Sequence, residues 1–267
     1  MKKLMARYRY SVILLRQLVK TDFKLRYQGS VLGYAWSLLR PLFLFAILYV
    51  VFSEFLKVGD AIPHYPVYLL LGIVLWNYFT EITSGNVSAV VSKGDLIRKL
   101  NFPKYIIVLA GCAGAFINLL LNFVVIGIVM LLSGADIDVS RLYLLPLLLL
   151  EMTVLATGLA FALSALFVRL RDVGYIWEVL MQAAFYATPI LYPLALAPVS
   201  IQKYLLLNPV AQIIQDVRHI VVTPDSTNVG TIWHPAMWTV PITIALLVAL
   251  GGGLYFRAQS KYFAEKI

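Results

Sequence analysis

The chain has 267 residues, 61% of them hydrophobic and only 13% charged, about half the charged share of a soluble globular protein. That balance excludes a soluble domain, and a single cysteine, Cys112, excludes an intrachain disulfide or a thiolate metal cluster. The net charge of +9 does not point to nucleic acid, because it is gathered in short segments between long apolar runs, as membrane orientation requires.

Residues 1–30 carry eight basic residues, and Val12, Leu15, Val19, Phe23 and Tyr27 recur among them at spacings of three and four. This pattern predicts an amphipathic helix on the cytosolic membrane surface, apolar face down and basic face toward lipid headgroups. It is either a positive-inside anchor or part of a gate. The segment is too charged for a cleavable signal peptide. Gly29 and Gly33 let the chain turn into the membrane.

The first span is predicted over 33–55, with Arg40-Pro41 inside it at a depth from which an arginine can snorkel. The second, over 67–91, carries Glu81. In a hairpin these two charges lie at similar depth, so they pair or share a polar cavity, or each faces water by itself. Residues 92–105, SKGDLIRKLNFPKY, then form a short basic connection with a helical turn over 95–100. Asp95 caps that turn or favours its positive end. Leu96, Ile97 and Leu100 give it an apolar knob on the cytosolic side, the kind of feature that docks a partner.

The third span is predicted over 106–132, with Gly111 and Ala115 as a close-packing face and Asn118 and Asn122 as hydrogen-bonding glue. The fourth covers 142–168, with Pro146 in its first turns, Glu151 further in, and a small-residue stripe of Ala156, Ala160 and Ser164. The fifth follows Arg169, Arg171 and Asp172 and runs about twenty residues, ~30 Å, to a break at Thr188-Pro189 and on to Tyr192-Pro193. Its single charge is Glu178, which faces the interior of the assembly or pairs with Arg171.

Residues 193–233 are not a simple loop. A short apolar piece over 201–207 precedes Asn208-Pro209. Val210, Ile213, Ile214, Val217 and Val221 then recur at helical spacing, with Gln212, Gln215, Asp216 and Arg218 on the other face. That reads as re-entrant helices dipping into the far leaflet or lying on it. The last span is predicted over 236–256, before a basic tail. With both ends cytosolic, only Lys57, Arg141, Lys203 and Arg218 of the 22 basic residues fall on the opposite side. The fold class is therefore all-α and polytopic: an interface helix over 1–30 and a six-helix transmembrane domain over 31–267.

Chemistry is hard to find. There is no phosphate loop, and Gly251-Gly252-Gly253 sits in an apolar span as packing or flexibility. His64, His219 and His234 have no ligand spacing, so no metal or cofactor is expected. Asn86-Val87-Ser88 matches a glycosylation acceptor but lies within a span. Aromatic residues are dense in the first, second and fifth spans. They form either interfacial belts or a ladder of rings along a polar path.

Four segments, FKLRYQGSVLGYAWSLLRPL (23–42), LIRKLNFPKY (96–105), FVRLRDVGYIWEVLMQAAFYATPILYP (167–193) and LNPVAQIIQDVR (207–218), occur in an order that resembles one group of permeases. These are the membrane subunits of ABC type-2 exporters for lipid-linked polysaccharides: O-antigen, capsule-like polymers and teichoic acids. The resemblance spans nearly the whole chain. It implies a homodimer in the cytoplasmic membrane, working with two copies of a separate ABC ATPase that hydrolyses the ATP, so that this chain is not itself an enzyme.

It also implies roles. Asp95, Leu96, Ile97, Arg98 and Leu100 would dock on the ATPase, with Arg169, Arg171 and Asp172 as a second contact. Trp36, Arg40, Phe43, Glu81, Trp177, Glu178 and Tyr186 would face the substrate channel. Thr188, Pro189, Tyr192, Pro193, Asn208 and Pro209 would belong to an outer gate. Rival readings are a type-2 exporter of drugs, haem or small lipids, and a polytopic transferase. The RYQGSVLGYAWSLLRP and TPILYP segments resemble the polysaccharide branch, and no acidic or histidine pair marks a transferase.

Overall fold

The computed structural model describes residues 2–28, 30, 32–57, 59, 62–134, 139–224, 226–233 and 235–266. Among them every element is helical. Helix α1, Lys2–Tyr27, leads through a turn at Gly33, whose φ of +49° favours glycine, into α2, Trp36–Tyr49. The chain continues as a wider π-helical stretch, Val50–Phe55. Helix α3 is Tyr65–Asn86, and two short helices follow it, α4 (Ala89–Ser92) and α5 (Gly94–Lys99). Helices α6 (Tyr105–Leu132), α7 (Leu145–Arg169) and α8 (Val173–Ala187) come next. The re-entrant region holds α9 (Val199–Leu205), α10 (Pro209–Val221) and α11 (Val229–Ile232), before α12 (Thr239–Gln259) and the short α13 (Phe263–Lys266). Readings placed on the Tyr27 side chain, Gly29 and His234 fall outside the described residues.

Five helices are long and apolar enough to cross a membrane unaided: Trp36–Phe55, Tyr65–Asn86, Tyr105–Leu132, Arg141–Arg169 and Thr239–Lys266. The fifth predicted span is shorter than its sequence implied. Its helix has 15 residues, ~22 Å, rather than a full bilayer's thickness. Proline is the cause: Pro189 disfavours helical backbone at the residue before it, and Thr188 is extended at φ −84°, ψ 137°. The second span also ends early, at Asn86 instead of residue 91.

The bundle is built around α3, which packs against α2, α6, α7, α8 and α10. Its Leu69, Leu71, Ile73, Leu75 and Ile82 are completely buried. A second tight seam joins α7 to α12. Gly158 and Gly252 meet there backbone to backbone, while Ala156 and Ala160, also fully buried, lie round the other side of α7. A Cβ on Gly252 would collide with the Gly158 carbonyl, so this glycine is the packing residue of the triple-glycine run. The predicted face of α6 is also used: a Cβ on Gly111 would strike the Asn86 side chain, and Ala115 is fully buried.

Helix α1 lies against α6. Leu14, Leu15, Leu18 and Val19 make its packed face, one position round from the predicted stripe, which leaves Val12 48% exposed. The helix bears on the bundle itself as well as presenting a surface outward.

Candidate functional site

An open cavity of about 1280 Å³ lies among α2, α3, α6 and α8. Six of the seven residues expected to face a channel line it: Trp36, Arg40, Glu81, Trp177, Glu178 and Tyr186. Phe43 does not. Helical period places Ser37, Arg40, Pro41 and Leu44 on the cavity face of α2, and Phe43 points off it, 59% exposed.

Arg40 and Glu81 share the cavity, and among the described residues no ion pair joins them. Glu81 instead accepts a hydrogen bond from Asn118 Nδ2 at 2.7 Å, which ties α6 to α3. Asn118 is thus the glue expected of it. Asn122 bonds within its own helix, to the Asn118 carbonyl at 2.8 Å. Glu178 and Arg171 likewise line the cavity without pairing, and the Arg171 guanidinium sits over the Phe167 ring at 5.2 Å.

Rings run along one wall. Tyr186 meets Phe185 edge-on at 5.3 Å between centroids and Phe185 meets Trp76 at 5.9 Å, while the buried Phe79, which does not line the cavity, backs Trp76 at 5.9 Å. Trp177 adds an indole N–H that is buried with no hydrogen-bond partner. Flat apolar faces, charges of both signs and the Trp177 donor can stack on and hydrogen-bond to a polyhydroxylated chain.

At the end of α8 the chain makes a turn that is held by its carbonyls. Arg218 Nη1 donates to Pro189 O and Nη2 to Ile190 O, each at 2.6 Å, while Nε donates to Tyr68 O at 3.1 Å. The Tyr65 hydroxyl donates to Leu191 O at 3.1 Å and the Tyr68 hydroxyl to Tyr192 O at 3.5 Å. Four successive carbonyls, 189–192, are therefore caught by side chains of α3 and α10. The guanidinium is wholly buried against the Tyr68 ring, 3.5 Å from its centroid, and Gly72 leaves the room it occupies.

Of the predicted gate residues, Thr188 and Pro189 are buried in this turn and Tyr192 and Pro193 are half-buried. Burial and the neighbouring Tyr68 push the Tyr192 hydroxyl's pKa up, so it stays a donor, within 3.4 Å of the Tyr186 and Ala187 carbonyls. Asn208 and Pro209 start α10, where Asn208 Oδ1 accepts from Val210 N at 3.0 Å and Pro209 fills the first turn.

Of the two expected placements for α10, dipping into the far leaflet or lying on it, a helix lying on a surface does not fit its burial. Gln212, Gln215, Asp216 and Arg218 are all buried, because α3, α7 and α12 enclose the helix on several sides.

At the opposite end, α5 corrects the exposed apolar knob. Ile97 is buried and Leu96 packs partly against the core; only Leu100, 43% exposed, remains outward beside exposed Asp95 and Arg98. Asp95 lies in the first turn without capping the helix through its side chain. The 169–172 turn is exposed throughout.

Bracing of this connection escaped the sequence reading. Lys93 forms an ion pair with Asp22 of α1, Lys104 Nζ donates to Ser260 O at 2.6 Å, and α13 packs on α5 with Phe263 fully buried. The roles of Arg218, Tyr65 and Tyr68 were also missed. One signal was available: Arg218 is among the four basic residues that break the charge bias, and a cation on the wrong side needs a structural reason.

Residues 13–222 match the family model described as ABC-2 type transporter. The chain is 26% identical to the O-antigen export system permease protein RfbA of Klebsiella pneumoniae, covering 96% of this chain and 95% of that one. It is 27% identical to the protein of the same name in Myxococcus xanthus, covering 97% of each. It is 20% identical to the polysialic acid transport protein KpsM of Escherichia coli, over 86% and 88%.

Proposed function

The chain belongs to the ABC-2 type transporter family, and from that premise we propose that it is the permease of an ATP-driven exporter of a lipid-linked polysaccharide. The observation that carries this reading is the 1280 Å³ cavity, where a ladder of rings runs beside Arg40, Glu81 and Glu178. Sugar rings stack on aromatic faces, and their hydroxyls take hydrogen bonds from charged and indole groups. The names of the relatives, O-antigen and polysialic acid permeases, support the same substrate class.

The cavity is open, and the flanking α2 and α8 carry exposed apolar residues, among them Ile47, Tyr175 and Val179. A second copy of this chain, set against those helices, closes the cavity into a channel. The helices cross the cytoplasmic membrane with both termini on the cytosolic side, and residues 1–30 serve as the interface helix. ATP is hydrolysed on a separate subunit that docks on Asp95, Arg98, Leu100 and the 169–172 turn. Closure of two such subunits pushes α5 and parts the two copies of α8, opening a path beside the clamped turn at 188–193.

The test has two arms. This chain is co-expressed with a candidate ABC ATPase subunit from the same genome and purified by a tag on the permease; the ATPase is expected to co-purify, and its absence overturns the docking role. In a strain lacking its own permease, the wild-type chain is expected to restore polymer at the cell surface. Trp177→Ala and Glu178→Gln are expected to slow that appearance, and export at the wild-type rate by both variants removes the substrate role from the cavity.

A further inference from the structure

A second cavity, of about 590 Å³, opens between the 139–144 segment, α7, α10 and α12, and shares no lining residue with the first. Its walls are apolar. Leu147, Leu150, Ile242 and Leu246 line it and are well exposed, so it opens onto the lipid-facing surface of the bundle. Its floor is acidic and dry: Asp216 is 5% exposed and Gln212 2%, with Glu151 beside them.

Gln212 Nε2 donates to Asp216 Oδ2. That leaves Asp216 Oδ1, Gln212 Oε1 and Glu151 Oε1 buried without a hydrogen bond of good geometry; the Trp238 indole and the Val229 N–H lie near Asp216, and the Gln212 amide near Glu151. All three are acceptors. Buried polar atoms in native proteins are rarely left unpaired, and two carboxylates in an apolar pocket favour a cation with several N–H donors.

The mouth has the opposite sign. Arg141 Nη1 lies 3.0 Å from His219 Nε2, and His219 Nδ1 lies 3.1 Å from Ser226 O. The carbonyl can only accept, so Nδ1 carries the imidazole proton and Nε2 accepts from the arginine. His219 follows Asp216 by three residues on α10, so the imidazole that holds Arg141 and the acidic floor lie on one face of that helix, less than a turn apart. An ethanolamine phosphate group likewise carries a cation and an anion a few bonds apart.

We propose that this cavity binds a phospholipid whose headgroup carries a primary ammonium and a phosphate, as phosphatidylethanolamine does. The ammonium sits on Asp216, Glu151 and Gln212, the phosphate lies by Arg141, and an acyl chain follows Leu147, Leu150 and Leu246. The site is separate from the export reading and needs only that α7 and α12 stand in lipid. A choline headgroup has no N–H to offer the three acceptors, and a glycerol headgroup has no positive charge.

The experiment uses the delipidated full chain in detergent, incubated with equal amounts of phosphatidylethanolamine, phosphatidylcholine and phosphatidylglycerol, with retained lipid read by native mass spectrometry. The ethanolamine lipid is expected to be retained about tenfold over either competitor, the scale of one charge-assisted contact. Asp216→Asn and Glu151→Gln are expected to bring the three lipids near parity, and Leu147→Trp to lower retention by filling the acyl path. Equal retention of all three lipids by the wild-type chain overturns the proposal, and that comparison needs no variant to fold. Full ethanolamine preference in both floor variants overturns it as well.

Discussion

Helices α2 and α3 are neighbours with opposite circumstances. In the most apolar stretch of α3, 78% of residues are buried within the protomer; in α2 and its π-helical extension the share is 6%. Both read from sequence as ordinary spans. The difference is that α3 is a post on which the other helices lean, and α2 is a wall that touches the protomer on one side only. Helix α8 resembles α2, with Val173 its single buried residue. Tight packing on one side and open apolar surface on the other divide the molecule into a fixed part and a part available to partners.

That contrast can be tested by substitution, beginning on the fixed side. Arg218→Met removes the donor to three buried carbonyls and is expected to cost about 3–5 kcal/mol, read as a large drop in melting temperature of the purified chain. Arg218→Lys recovers little of it, since an ammonium lacks the fork that reaches Tyr68, Pro189 and Ile190 together. Melting at the wild-type temperature in both variants denies the carbonyl clamp its role.

At the end that carries α5, Ile97→Ala is expected to destabilise by about 3 kcal/mol, as buried isoleucines do, while Leu100→Ala stays within about 0.5 kcal/mol. The two differ in what they touch: the first loosens the chain, and the second lowers recovery of the ATPase on the tagged permease. Similar melting temperatures for the pair contradict the inward position of Ile97. Gly252→Ala, which puts a methyl onto the Gly158 carbonyl, is expected to cost about 2 kcal/mol by the same melting measurement. The smallest effect belongs to the open side. Phe43→Ala is expected to change melting by no more than about 0.5 kcal/mol and to leave single-chain stability intact.

The sequence was most informative where one residue's environment follows from helical period and membrane depth. Glu81, Glu178 and Arg40 are costly in lipid wherever the helices go, so a shared wet space was foreseeable, and they line one cavity. The break at Thr188-Pro189 is visible too, but local pattern does not show how far it shortens the helix.

What could not be read depends on contacts distant in the chain. Arg218 meets carbonyls 28, 29 and 150 residues away, and no local pattern announces them. Helix α10 has the alternation of a surface helix, and its polar residues are buried because other helices enclose that face as well. Ile97 looked exposed for a similar reason. The residues that cover its connection, in α1 and α13, come from opposite ends of the chain.

The crossing of Gly158 and Gly252 carries one mechanical consequence. Where two backbones touch with no side chain between them, neither helix can slide along the other without lifting over the alanines and leucines on either side. The α7–α12 pair is therefore a fixed unit of the protomer, and the long helices it leaves with the least burial are α2 and α8.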